Sequence, residues 1–426
     1  QTYGRDYSLS LYNIVAVYSF NMGAMENKVL NIFNSAYVLA DEDTATDANF
    51  MGIQSVIAHE YFHNWTGNRI TCRDWFQLTI KEGLTVFRDQ CFSGDLNSKE
   101  VQRIEDVKAL RERQFVEDAS PTAHPIQQDS YMAINNFYTS TVYEKFAEII
   151  RMIHTLLGEE NYRKSTDLYF ESFDGQAVRT DYFLLAMSEA NNVNGEARES
   201  ALGCGVDLKA FETWYHQSGT PTLHIEENFV DGEYKLTLTQ EIPNAVDGSE
   251  QKPYYYPLKI TLLNDNGDEV IEEILIVSKR QEEFVFKVDA KPFLSINRDF
   301  SAPVIIELKE NNHGFLMKHD KNSFLKYESA QSFGVLTIEA MMSGEDIDDE
   351  FVRAFGHILD SDLDLSFKAL LLELPSVSTL MQRQDEIDFE PIYEAKERLA
   401  KHLAITYKDR LIEIYTKYHN PTCKDI

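Results

Sequence analysis

The chain has 426 residues, 70 of them acidic and 40 basic, for a formal charge of −30. That balance argues against nucleic acid or an anionic membrane as a partner, since both call for a basic footprint. An acidic surface serves solubility first and also suits peptides that carry a positive N-terminus. The length calls for two or three domains, and no apolar run is long enough to span a membrane. The four cysteines, Cys72, Cys91, Cys204 and Cys423, are widely spaced with no Cys-x-x-Cys pair. They do not form a disulfide framework, which points to a reducing, cytoplasmic setting. The start at Gln1, without an initiator methionine, reads as a piece of a longer protein.

In chain order, residues 8–20 alternate polar and apolar side chains and predict a strand. A helix is expected next, with Asp47 as N-cap, an apolar stripe of Phe50, Ile53, Val56, Ile57 and Tyr61, and a stop at Gly67 and Asn68. It carries His59-Glu60-x-x-His63. On a helix the two histidines lie one turn apart on one face, so both rings can reach one ion at about 2.0–2.1 Å. Glu60 points beside that face, where its carboxylate can act as a general base without binding metal. Residues 74–92 predict a second helix, with Trp75, Leu78, Leu84, Phe87 and Cys91 apolar and Gly83 weakening it slightly. Glu82 on that helix is expected to face His59 and His63 across a helix-turn-helix unit. Two imidazoles and one carboxylate hold one Zn²⁺ per chain and leave a fourth position for water, which ionises there near neutral pH.

Helices are expected at 98–116 and 141–157, with shorter ones up to about residue 221. Short alternating runs then follow at 233–240, 258–263, 270–277, 284–288 and 304–308, separated by turn signals such as Asp231-Gly232 and Asn264-Asp265-Asn266-Gly267. They predict a small β-sandwich. From about residue 324 the pattern is helical again, with Phe351, Phe355 and Leu359 at helical spacing and Pro375 and Pro391 as breaks. The expected fold is therefore multidomain α+β: a mainly helical catalytic domain at 1–221, a β-sandwich at 222–308 and an all-α part at 309–426.

Upstream of the histidines stands Gly23-Ala24-Met25-Glu26-Asn27. Together with His59-Glu60-x-x-His63 and Glu82 it resembles the aminopeptidase N family of gluzincin metallopeptidases. His63-Asn64-Trp65-Thr66-Gly67-Asn68-Arg69 and Arg73-Asp74-Trp75-Phe76-Gln77 are especially similar to the bacterial alanyl aminopeptidase branch. The likeness continues through Asn135-Asn136-Phe137-Tyr138, Val142-Tyr143-Glu144-Lys145 and Trp214-Tyr215-His216-Gln217-Ser218-Gly219-Thr220-Pro221. It implies a thermolysin-like catalytic domain, an N-terminal β-domain before Gln1 and a longer helical domain after the sandwich. It also implies a monomeric zinc aminopeptidase acting on peptides with a free α-amine.

Under that resemblance Glu26 is the anchor for the substrate ammonium, a charge-assisted contact that an internal peptide nitrogen cannot make. Gly23 and Ala24 are small, so that a substrate backbone can pair with the Gly23-Ala24-Met25-Glu26-Asn27 segment as an added strand. Tyr143 resembles the tyrosine that donates to the oxyanion. Met22 and Tyr138 sit where the family lines the pocket for the first side chain. Val29 and Phe146 replace usual glycines, and Tyr18-Ser19 replaces a usual acid, which puts efficiency and preference in question more than reaction class. Two rival readings stand beside this one: a gluzincin endopeptidase, and a zinc-bearing peptide-binding module without turnover.

Overall fold

The computed structural model describes residues 4–193, 196–197, 206–309, 312–384 and 386–419. Cys204 and Cys423 lie outside them; Cys72 and Cys91 are free thiols. Two compact units are present. The first comprises Gln1–Ile260, Glu273–Asp289 and Phe300–Lys309, the second Thr261–Glu272, Ala290–Asp299 and Glu310–Ile426.

The first unit opens with a three-stranded sheet of β1 (Asn13–Val17), β2 (Ala24–Met25) and β3 (Leu30–Asn34), in the order β1-β3-β2. The strand expected at 8–20 is thus only five residues long, because just that stretch finds a ladder partner in β3. Phe33 on β3 is fully buried and anchors the sheet. β2 pairs antiparallel with β3 on one side only, which leaves its other edge open.

Val29, in the tight turn between β2 and β3, has φ 76°. Its carbonyl accepts from both the backbone N–H and the side chain of Asn13, at 3.0 and 3.1 Å, which fixes the peptide there. A β-branched side chain in the left-handed region costs about 1–2 kcal/mol.

Helix α1 (Asp47–Phe62) follows. Its N-cap is Thr46, not Asp47: the Thr46 N–H donates to Asn49 Oδ1 at 2.8 Å, and Asp47 lies in the first turn, where its charge favours the helix dipole. The expected apolar stripe is not the buried face. Phe50 is exposed, while Ala58, Glu60 and Phe62 are buried. β4 (Thr71–Cys72) and a 3₁₀ turn at Trp75–Gln77 lead into α2 (Thr79–Leu96), so the helix expected from residue 74 begins later and runs further. Helix α2 packs on α1 and is buried along most of its length. Gly83 makes that packing possible. A Cβ there would lie 2.6 Å from the Phe146 ring, so the helix position without a side chain and the large residue at 146 fit together.

Beyond α2 come α3 (Lys99–Ala109), capped by the Ser98 hydroxyl, a π turn at Leu110–Phe115 and α4 (Val116–Asp118). The helix expected at 141–157 likewise opens with a π turn, Thr141–Lys145, before α5 (Phe146–Leu157). The Lys145 ammonium is buried and pairs with Asp118 at 2.7 Å. Asp118 also accepts from the Gly219 N–H at 3.1 Å and the Thr220 hydroxyl at 3.0 Å. The helical part of the first unit finishes with α6 (Glu159–Phe173), β5 (Ala177–Val178), α7 (Thr180–Asn191), the short pair β6 (Asn192–Val193) and β7 (Glu196–Ala197), and α8 (Glu212–His216).

The β-domain has β8 (Thr222–Val230), β9 (Glu233–Glu241), β10 (Tyr256–Leu263), β11 (Glu269–Val277), β12 (Gln281–Lys287), β13 (Phe293–Ile296) and β14 (Ile305–Leu308). One sheet has the order β12-β9-β8-β14 and the other β11-β10-β13. β8 and β13 were not among the strands expected. In the second unit, helices α9 (His313–His319), α10 (Ser323–Met342), α11 (Asp349–Asp360), α12 (Leu365–Leu372), α13 (Val377–Gln382), α14 (Phe389–Thr406) and α15 (Lys408–Tyr418) follow one another. Phe351, Phe355 and Leu359 are all buried on α11. Pro375 separates α12 from α13 as expected. Pro391 breaks nothing: it sits in the first turn of α14, where no N–H is needed. No helix among the described residues is long and apolar enough to cross a membrane.

Val29→Gly relieves the left-handed strain while adding some chain entropy to the unfolded state. The expected outcome is a gain of about 1 kcal/mol in unfolding free energy, read from the denaturant midpoint.

Candidate metal centre

Helix α1 presents His59 and His63 on one face, and α2 brings Glu82 against them. The two Nε2 atoms are 3.0 Å apart, and Glu82 Oε2 is 3.1 Å from His63 Nε2 and 3.4 Å from His59 Nε2. The other ring nitrogens decide what those atoms carry. His59 Nδ1 lies 2.7 Å from Asp89 Oδ2, and His63 Nδ1 lies 2.9 Å from the Thr66 carbonyl. A carboxylate and a carbonyl only accept, so both Nδ1 atoms hold protons, and in the neutral rings both Nε2 atoms present lone pairs. Two such lone pairs and a carboxylate oxygen at this spacing repel one another unless a proton or a metal ion lies between them.

Without an ion, protons supply the positive charge that the cluster calls for. Burial pulls His59 down, but the hydrogen bonds to Asp89 and Glu82 outweigh it and hold the ring well above the usual imidazole range. Burial likewise works against ionised Glu82, yet His63 and Lys81 keep it well below the usual carboxylate range. A buried, anionic, lone-pair-rich cluster of two imidazoles and one carboxylate is a donor set suited to zinc.

Glu60 is buried beside the cluster, and its Oε2 has no hydrogen-bond partner. Burial, reinforced by Glu26 and Glu82 against the pull of the two histidines, pushes its carboxyl up to about 7. It is a poised acceptor with nothing local to accept from. Glu26, at the end of β2, reaches the same space: an oxygen of Glu26, one of Glu60 and a nitrogen of His63 lie within 4.8 Å of one another. Its backbone is held by Asn68, whose amide donates to the Glu26 carbonyl at 2.9 Å. Its side chain accepts from the buried Lys81 ammonium, which also donates to Glu82 Oε1 at 2.9 Å.

Tyr143, on the π turn, lies nearly parallel to the His59 ring with centroids 6.4 Å apart. Burial, then Glu82, drives its phenol far above the usual range, so it keeps its proton and stays a donor. Tyr138 sits 6.4 Å from Tyr143 and 6.2 Å from Trp75, ring to ring. Met22 lies in the bend before β2 and is 38 % exposed. Gly23 gives its carbonyl to the Asn34 N–H at 2.9 Å, which sets the line of β2 through Ala24 and Met25 towards Glu26 and Asn27. The structure therefore gathers His59, His63, Glu82, Glu60, Glu26 and Tyr143 in one place.

Three participants were not anticipated: Asp89, Lys81 and the Thr66 carbonyl. Asp89 stands seven residues, two helical turns, after Glu82 and so shares its face; that spacing was a usable signal. Lys81 adjoins Glu82, but nothing in its position told which carboxylates it would meet.

Asp89→Ala removes the acceptor that fixes the His59 ring. Zinc affinity, measured by competition with a chelating dye, is expected to fall about 10–100-fold with the fold retained.

Comparison with known proteins adds context to this geometry. Residues 1–214 match the peptidase family M1 domain, 219–309 a domain of unknown function with an Ig-like fold, and 310–425 a domain described as ARM repeats. The chain is 45 % identical to aminopeptidase N of Escherichia coli over 97 % of its own length and 48 % of that protein. It is 42 % identical to aminopeptidase N of Haemophilus influenzae over 96 % of its length and 48 % of that protein. In structure it is similar to Legionella pneumophila aminopeptidase A, solved with aspartic acid, at TM-score 0.83 and 28 % identity, covering 99 % of this chain and 47 % of that one. The chain spans about half the length of the curated relatives it matches.

Proposed function

Because the chain belongs to peptidase family M1, we propose that it is the catalytic part of a zinc aminopeptidase that removes the first residue from peptides with a free α-amine. The observation that carries the reading is the unpartnered, buried Glu60 carboxylate held between the His59–His63–Glu82 donor set and Glu26. In this reading residues 1–221 form the catalytic domain, 222–308 the β-sandwich and 309–426 the start of the helical part, a division supported by the three matched families. The free thiols of Cys72 and Cys91 support a cytoplasmic setting.

His59, His63 and Glu82 would hold one zinc ion per chain. When bound, zinc supplies Lewis acidity, polarising a carbonyl oxygen and making water acidic near neutral pH. Glu60 Oε2 takes a proton from the attacking water and delivers it to the leaving amine nitrogen. The Tyr143 hydroxyl donates to the carbonyl oxygen as negative charge develops on it. Glu26 accepts from the substrate ammonium, a contact that a blocked N-terminus lacks. The open edge of β2, from Gly23 and Ala24 to Asn27, receives the substrate backbone as an added strand. Met22, whose side chain is flexible and polarizable, and Tyr138 line the space for the first side chain.

Two measurements test this. Glu60→Gln is expected to keep its zinc and lose about 10²–10⁴-fold in turnover, read as kcat on a short alanine-led peptide alongside metal content; near-normal turnover would remove Glu60 from the proton transfer. The second compares that peptide free and N-acetylated, with and without a chelator. Chelator-sensitive cleavage of the free peptide alone is expected. Efficient cleavage of the blocked peptide would favour an endopeptidase, and zinc binding with no cleavage of either would favour a peptide-binding module.

A further inference from the structure

Lys81 is not accounted for by the reaction above. It is a buried cation on α2, and its ammonium bridges Glu26 and Glu82. Two overlapping sets of ligating atoms meet at this point. One is His59, His63 and Glu82; the other is Glu26, Glu60 and His63. Because His63 Nδ1 is committed to the Thr66 carbonyl, both sets draw on the same Nε2. With one ion in the first set, what remains of the second is a pair of carboxylates, one of them with a buried oxygen that has no partner.

Charge decides what that pair accepts. Buried charges are tolerated when they are paired, and an uncompensated one is costly. Glu26, Glu60, Glu82 and Asp89 are anionic when ionised, Lys81 is cationic, and imidazoles that give Nε2 to an ion and keep only the Nδ1 proton are neutral. One divalent ion in the first set then leaves a single negative charge. A monovalent ammonium closes that balance. A second divalent ion overshoots it, next to both the first ion and Lys81. Without the lysine charge the remainder is two negative charges, which is the complement of a second divalent ion.

We propose that Lys81 tunes this centre to accept a monocation beside its first metal ion, and that removing the Lys81 charge turns the Glu26–Glu60 pair into a second divalent-cation site. Lys81 is thus a determinant of cation specificity that takes no part in proton transfer. This rests on the zinc reading of the first ligand set, and the test separates the two.

The experiment is a zinc titration of the whole chain, stripped of metal, followed by calorimetry and by native mass spectrometry. One tight zinc is expected in the unaltered chain. Lys81→Met is expected to take two, with the second bound at least about 100-fold more tightly than any second zinc of the unaltered chain. Lys81→Arg keeps the charge and should hold one. Lys81→Met combined with Glu26→Gln should return to one, which places the second ion. Circular dichroism checks folding, and Lys81→Gln, which keeps a hydrogen-bond donor without the charge, serves as the second neutral variant. A neutral variant that folds and binds a second zinc no more tightly than the unaltered chain would overturn the proposal. So would two tight ions in the unaltered chain, or a second ion that survives Glu26→Gln. If neither neutral variant folds, the unaltered chain and Lys81→Arg decide: one tight zinc in both supports the proposal, and a second in either overturns it. Absence of any tight zinc in the unaltered chain would overturn the metal reading itself, a result distinct from each of these.

Discussion

Two imidazole nitrogens lie 3.0 Å apart with a carboxylate oxygen beside them, and each ring commits its Nδ1 proton to a neighbour on the far side. Such an arrangement is held only if the backbone around it is rigid, and α1 and α2 are built for that. Helix α2 is buried on nearly every side, so Glu82 and Asp89 cannot turn away. Gly83 lets the Phe146 ring press against α2 between them. The Thr66 carbonyl is fixed by the turn that ends α1, with the Thr66 and Thr85 hydroxyls 3.0 Å apart behind His63. The polar centre and the hydrophobic packing around it are therefore one problem: the apolar contacts carry the stability, and they spend part of it on crowding like charges.

This explains what could be read from the residues and what could not. His59, Glu60, His63 and Glu82 were legible because metal chemistry restricts residue type and helix geometry restricts spacing. Glu26 and Tyr143 were legible only through resemblance, since a loop acid and a tyrosine carry no local mark of convergence. The burial of α1 was misread because it is split: Ala58 and Phe62 are buried on one side of the helix and Glu60 on another. Hydrophobic periodicity points to the core of an ordinary helix and fails where the buried face holds charged groups. The β-strands were legible by alternation, but β8 was passed over: Leu223 and Ile225 alternate with His224 and Glu226, and Glu227 then stands where the next apolar residue would be, accepting from the Tyr234 hydroxyl.

Val29 and Phe146, where the resemblance implied glycine, have different consequences. Val29 adopts the left-handed backbone that glycine would adopt freely, so the turn keeps its shape under strain. Phe146 is absorbed without strain in its own backbone because its ring fills the space above Gly83. A bulky side chain is thus a liability at one of these positions and a packing element at the other.

The buried pair of Lys145 and Asp118 has a consequence for how the molecule comes apart. Lys145 closes the π turn that carries Tyr143, and Asp118 is held in turn by Gly219 and Thr220, at the entrance to β8. An ion pair stripped of those partners would be left buried and underbonded. The π turn, α4 and the first residues of the sandwich are accordingly one cooperative unit in local opening. In native-state hydrogen exchange their amides are expected to share one protection class, whatever boundary is drawn at residue 221.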